Sequence, residues 1–201
     1  MKRAALGVRM HSGWGVLVAV SGEPESLEIM DRRRIVTTEP AVPGGNQPYH
    51  YAANLTLLEA ERYLANCAAV CERLAFAAIE EVIRKLKEYR VVGSAVLLAS
   101  GRVLPPLVKV LAAHPLIHTA EGEFFRNAVS RACERLQISV TAVRERDLEE
   151  QAKTAFGRRA KEVERSIASL GSSIGPPWTK DHKTAALAAA VILEKSAAIS
   201  G

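Results

Sequence analysis

Apolar positions along this chain follow two rhythms, one of period two and one of period three to four. Residues 6–10 and 14–20 are near-continuous apolar runs, the second rich in valine, and His11-Ser12-Gly13 separates them. They read as the arms of a β-hairpin. Ser21, Gly22 and Pro24 then break the chain. Residues 27–38 alternate in part and predict a third strand. Its polar middle, Asp31-Arg32-Arg33-Arg34, suits a sheet edge or a bulge, where one flank meets water. EPAVPGGNQPYHY, residues 39–51, is a loop by composition.

From residue 52 to 90 the rhythm becomes helical. Leu64, Cys67, Cys71, Leu74, Ala78, Val82 and Leu86 fall at spacings of three and four, making one apolar stripe on a long helix broken near its start. VVGSAVLLAS, residues 91–100, reads as a buried strand inside a parallel or mixed sheet. A short helix begins at Pro105-Pro106. A longer amphipathic helix covers 118–137, with Thr119 as its cap. ISVTAV, residues 138–143, is a fifth strand. The charged stretch 144–167 is helical, 169–178 is a loop, and 179–196 is an alanine-rich helix. The order β-β-β-α-β-α-β-α-α predicts an α/β fold over residues 1–201 as one domain. Its core is a mixed five-stranded sheet, three antiparallel strands first, flanked by helices.

This order, with three local motifs, resembles the ribonuclease H-like fold, and within it the Holliday-junction resolvase RuvC and its YqgF-type cousins. Gly13-Trp14-Gly15-Val16 resembles the entry to the second strand. EGEFFRNAVSRACERLQISVTAV resembles the helix that leads into the fifth strand. DHKTAALAAAVIL resembles the last helix. The resemblance implies a phosphodiester nuclease with two divalent metals held by carboxylates from the first strand, the end of the fourth strand and the last helix. The chain departs from that set. Arg9 stands at the first position, and the fourth strand ends Leu98-Ala99-Ser100 without an acid. Asp181 matches the first acid of a D-x-x-D pattern, and Thr184 falls on the second. A carboxylate beside Arg9 and Lys183 favours an ion pair over magnesium, so no cofactor is assigned.

Sites in open sheets lie beyond the carboxyl ends of strands. That rule, with the resemblance, gathers His11 and Ser12, then Ser100, Gly101 and Arg102, then Asp181, His182 and Lys183 into one polar pocket. Arg9, Ser12, Ser100, Gly101, Arg102, His182 and Lys183 are ligand-binding candidates for an anion; turn and cap chemistry explains several of them equally. His118, Glu121 and Glu123 form a second cluster. A histidine with two carboxylates holds zinc or manganese, or works as an acid–base pair, and acids in a first helical turn also serve the macrodipole. His11, Glu121 and Asp181 are the catalytic candidates. Arg32, Arg33 and Arg34 are the nucleic-acid candidates.

A net charge of +5 permits polyanion binding. The three cysteines have no framework spacing and point to a reducing compartment; Cys67 and Cys71, four apart, read as core thiols. No apolar run reaches a membrane span and the start lacks a signal peptide, so a cytoplasmic protein without membrane contact is expected. Three functions follow. The first is a degenerate member of the fold that binds nucleic acid or a phosphate ligand. The second is a metal-dependent hydrolase with a rearranged site. The third is a non-catalytic scaffold that forms homodimers through the alanine-rich long helix.

Overall fold

The computed structural model describes residues 1–99, 101 and 103–200. Its centre is a five-stranded sheet in the order β3-β2-β1-β4-β5. The strands are β1 (Lys2–Met10), β2 (Trp14–Ser21), β3 (Glu28–Val36), β4 (Tyr89–Leu98) and β5 (Val140–Arg144). The first three pair antiparallel; β4 pairs parallel to β1, and β5 parallel to β4. The polar strand β3 is an edge, and its pairing with β2 also shifts register beside Asp31. Both devices suggested by its charge are present.

Helices α1 (Pro48–Ala52), α2 (Leu57–Lys85), α3 (Leu107–Leu111) and α4 (His114–Arg135) lie between β3 and β5 in the chain. After β5 come α5 (Leu148–Phe156), α6 (Ala160–Ser169), α7 (Gly171–Ile174) and α8 (Lys180–Ser200). Helix α2 starts at a capping box: the Thr56 hydroxyl accepts from Glu59 N–H, and the Glu59 carboxylate accepts from Thr56 N–H. Its buried stripe runs Leu64, Cys67, Cys71, Ala75, Ile79 and Val82. In place of the expected Leu74 and Ala78, the stripe runs through Ala75 and Ile79, each one position further on. Helix α4 starts at His114, with Pro115 in its first turn, four residues before the sequence suggested. Thr119 is thus inside the helix rather than its cap.

Side chains alternate across β1. Ala4, Leu6, Val8 and Met10 join α2 and α4 in one core, while Ala5 joins α5, α6 and α8 in the other. Gly7 faces α8 so closely that a Cβ would overlap the Ala185 carbonyl. Arg9, two residues on, therefore also faces α8. Ala185, Ala186, Ala188 and Ala189 are fully buried against the sheet. Its small residues let α8 approach the strands. Among the described residues no helix is long and apolar enough to cross a membrane.

Candidate functional site

The carboxyl end of β1 meets the start of α8 and the chain just past β5. There Arg9 joins two carboxylates. Its Nε and Nη2 donate to Glu145 at 3.1 Å each, a two-pronged contact, and its Nη1 donates to Asp181. Burial opposes the charge on this guanidinium, but Glu145 and Asp181 more than offset it, so its pKa is raised above the ordinary value. The His11 Nε2 lies 2.8 Å from Asp181 Oδ2 and 3.2 Å from Arg9 Nη1. One nitrogen cannot both donate to the first and accept from the second. The shorter contact, to an anion, assigns Nε2–H to Asp181.

The rim of this centre is cationic and aromatic. The His11 ring stacks on Trp14 with centroids 4.3 Å apart, and the Arg34 guanidinium lies 4.1 Å from the Trp14 ring centroid. Trp14 and Arg34 line two neighbouring grooves. One, of about 510 Å³, also meets Lys180, Asp181 and His182; the other, of about 790 Å³, meets Ser12 and the 38–47 loop. Behind the centre, the partly buried Arg126 donates to the Leu97 carbonyl at 2.8 Å and pairs with Glu123. Burial lowers the Arg126 pKa, and Arg9 adds to that effect while Glu123 and Glu145 oppose it.

The expected site is therefore partly assembled. His11, Arg9 and Asp181 converge. Ser12 is exposed on the larger groove. Gly101 lies past β4 beside Arg144; Ser100 and Arg102 lie outside the described residues. Lys183 lines a separate groove beside Trp178 rather than joining Asp181. His182 is buried, and its Nδ1 accepts from the Thr179 hydroxyl at 2.8 Å. Burial lowers its pKa, Arg32 adds to that, and Asp181 opposes it. Glu121 does not join His11 and Asp181: it is 3% exposed and accepts from His50 on the α1–α4 side.

The three arginines of β3 also separate. Arg32 donates to the carbonyls of Ile174, Gly175, Pro176 and Pro177, and so ties β3 to the segment before α8. Arg33 points to the opposite face and bridges Asp31 to Glu81 on α2. Arg34 lies over the Trp14 ring, where both grooves meet. Strand alternation separates neighbours in this way. Glu145, absent from the sequence-based set, immediately follows β5. The strand-end rule applied to β5 as well as β1 and β4 finds it.

No family model matches the sequence, and no curated protein matches it. Solved structures do. Thermus thermophilus RuvC in complex with Holliday junction substrate matches with a TM-score of 0.54 at 14% identity, covering 99% of this chain and 96% of that one. A second Thermus thermophilus RuvC structure matches with a TM-score of 0.54 at 15% identity, covering 98% and 96%. The chain has the ribonuclease H-like resolvase fold. That fold implies a pair of divalent metals, and the residues here do not fit them. A guanidinium occupies the space between Asp181 and Glu145, bonded to both. A fixed cation in that place repels metal ions and already satisfies the carboxylates.

Proposed function

We propose that this chain binds the phosphate backbone of nucleic acid along the Trp14–Arg34 grooves, and that it does not cleave phosphodiesters by a two-metal route. The observation that carries the proposal is the Arg9 guanidinium bonded to Asp181 and Glu145, beside a rim that leaves Arg34 and Lys180 facing outward. The Arg9 guanidinium cancels one of the two carboxylate charges at the centre, so a polyanion approaches without meeting a bare carboxylate pair. The cationic rim supplies phosphate contacts. The formal charge of +5 acts in the same direction. The likeness to a resolvase structure holding a Holliday junction makes branched DNA the first ligand to try.

The test is fluorescence anisotropy with labelled four-way junction, duplex and single-stranded DNA, run without metal and with Mg²⁺ or Mn²⁺ at two salt concentrations. Binding is expected without metal, and it should weaken steeply as salt rises. Combined Arg34→Ala and Lys180→Ala changes should lower affinity by roughly tenfold or more. Absence of binding at low salt overturns the binding half. Mg²⁺-dependent cleavage by the unaltered protein, lost in Asp181→Asn, overturns the other half.

A second reading is favoured by one contact. The 2.8 Å pairing of His11 Nε2 with Asp181 is the arrangement of an oriented acid–base histidine. Metal-independent hydrolysis that His11→Ala abolishes, seen in the same cleavage assay, would decide for it.

A further inference from the structure

Apart from the Arg9 centre, three histidines converge between α1 and the start of α4. His114 and His118 are one helical turn apart and share a face of α4. His50, on α1, packs edge-on against both, with ring centroids 5.1 and 4.8 Å away. One ring nitrogen from each lies within 4.8 Å of the others. We propose that His50, His114 and His118 bind a divalent transition-metal ion, with zinc the first choice.

Two further features point to a cation. The Nε2 atoms of His114 and His118 are 2.9 Å apart. Two lone pairs at that distance repel unless a proton or a metal lies between them. Around tetrahedral zinc, with Zn–N bonds of about 2.0–2.1 Å, ligand nitrogens stand roughly 3.3–3.4 Å apart, so a small opening of this pair suffices.

The second feature is Glu121. Its carboxylate is 3% exposed, yet its partners are the His50 backbone N–H at 3.2 Å and the His50 Nδ1 at 2.9 Å. Among the described residues, no arginine or lysine forms an ion pair with it. A buried anion without a full counter-charge is costly. Donation from His50 Nδ1–H to Glu121 leaves the His50 Nε2 lone pair directed away, free for a metal. This carboxylate–histidine–metal relay fixes the tautomer, and a bound dication adds positive charge beside the buried carboxylate through the imidazole. His114 and His118 are exposed, so a fourth position is open to water. Glu121 is a positioning residue here, not a ligand.

The experiment uses tag-free full-length protein stripped with chelator, titrated with Zn²⁺ by calorimetry and with Co²⁺ by visible absorption. One equivalent should bind, and Co²⁺ should give the intense bands of a low-symmetry nitrogen site. His118→Ala, at an exposed position that spares the fold, should abolish stoichiometric binding. Glu121→Gln should weaken it by roughly 10–100-fold while leaving the Co²⁺ bands in place. Binding that survives His114→Ala with His118→Ala, or that needs several equivalents, overturns the proposal. So does the absence of any Zn²⁺ heat in the unaltered protein. His11→Ala should leave the titration unchanged; loss there would relocate the metal to the other centre and overturn it equally.

Discussion

Arg9 holds together two carboxylates that would otherwise repel across the end of the sheet. Replacing it by alanine leaves Asp181 and Glu145 facing one another, and it removes three charge-assisted hydrogen bonds. A loss of about 2 kcal/mol is expected, read from urea unfolding. Arg9→Asp is the more telling change. It adds a third carboxylate, so the protein should be less stable than the unaltered chain in chelator and should gain thermal stability on adding Mn²⁺. With Arg9 retained, a His114→Ala, His118→Ala protein should show no such gain. His182 gives a pH-dependent counterpart. Its folded pKa lies below the ordinary histidine value because burial, and then Arg32, disfavour the charged ring, while Asp181 favours it. The unfolded chain therefore takes the proton first, at about pH 6.5. The stabilisation is whole above that pH and is lost as pH falls through the lower folded value. Urea midpoints between pH 8 and pH 5 should fall less steeply in His182→Gln, whose amide oxygen still accepts from Thr179. At this scale the sequence was legible in residue type but not in partner. Arg9 in place of an acid was visible at once. Glu145, its main partner, is 136 positions away in the chain and belongs to no local pattern.

At the scale of elements, the closest fit is between β1 and α8. Gly7 and the alanines of α8 remove the side chains that would hold strand and helix apart, which is what brings Asp181 down to Arg9. Gly7→Ala should cost about 2 kcal/mol or more through overpacking, measured by thermal unfolding, and should weaken the Arg9–Asp181 contact by lifting the helix. The strands were legible because valine-rich runs bounded by glycine and proline allow little else. The helix starts were less so. Pro115 favours a first turn, but the His114-Pro115 start offers no side-chain cap, and the attractive Thr119 drew the boundary too late. The stretch 144–167 has helical composition throughout. It is nonetheless divided at Gly157, whose φ of +57° turns the chain between α5 and α6.

For the whole molecule, the topology followed from the order of elements, since three antiparallel strands followed by alternating helices and strands leave few ways to build one sheet. What the order could not convey is which polar residues the sheet gathers at its ends. His50 lies far from His114 and His118 in the chain and joins them only when α1 and α4 pack. The arginines at 32, 33 and 34 are adjacent in the chain and come apart on folding, one to a carbonyl cage, one to an ion pair and one to the grooves.

The chain has two tryptophans. The Trp178 indole N–H is occupied by the Ile167 carbonyl, away from the grooves. Trp14 lies under Arg34 and against His11, on the wall that both grooves share. The molecule thus carries a built-in optical reporter: a ligand that lifts Arg34 from the indole changes the emission of that one fluorophore and needs no label.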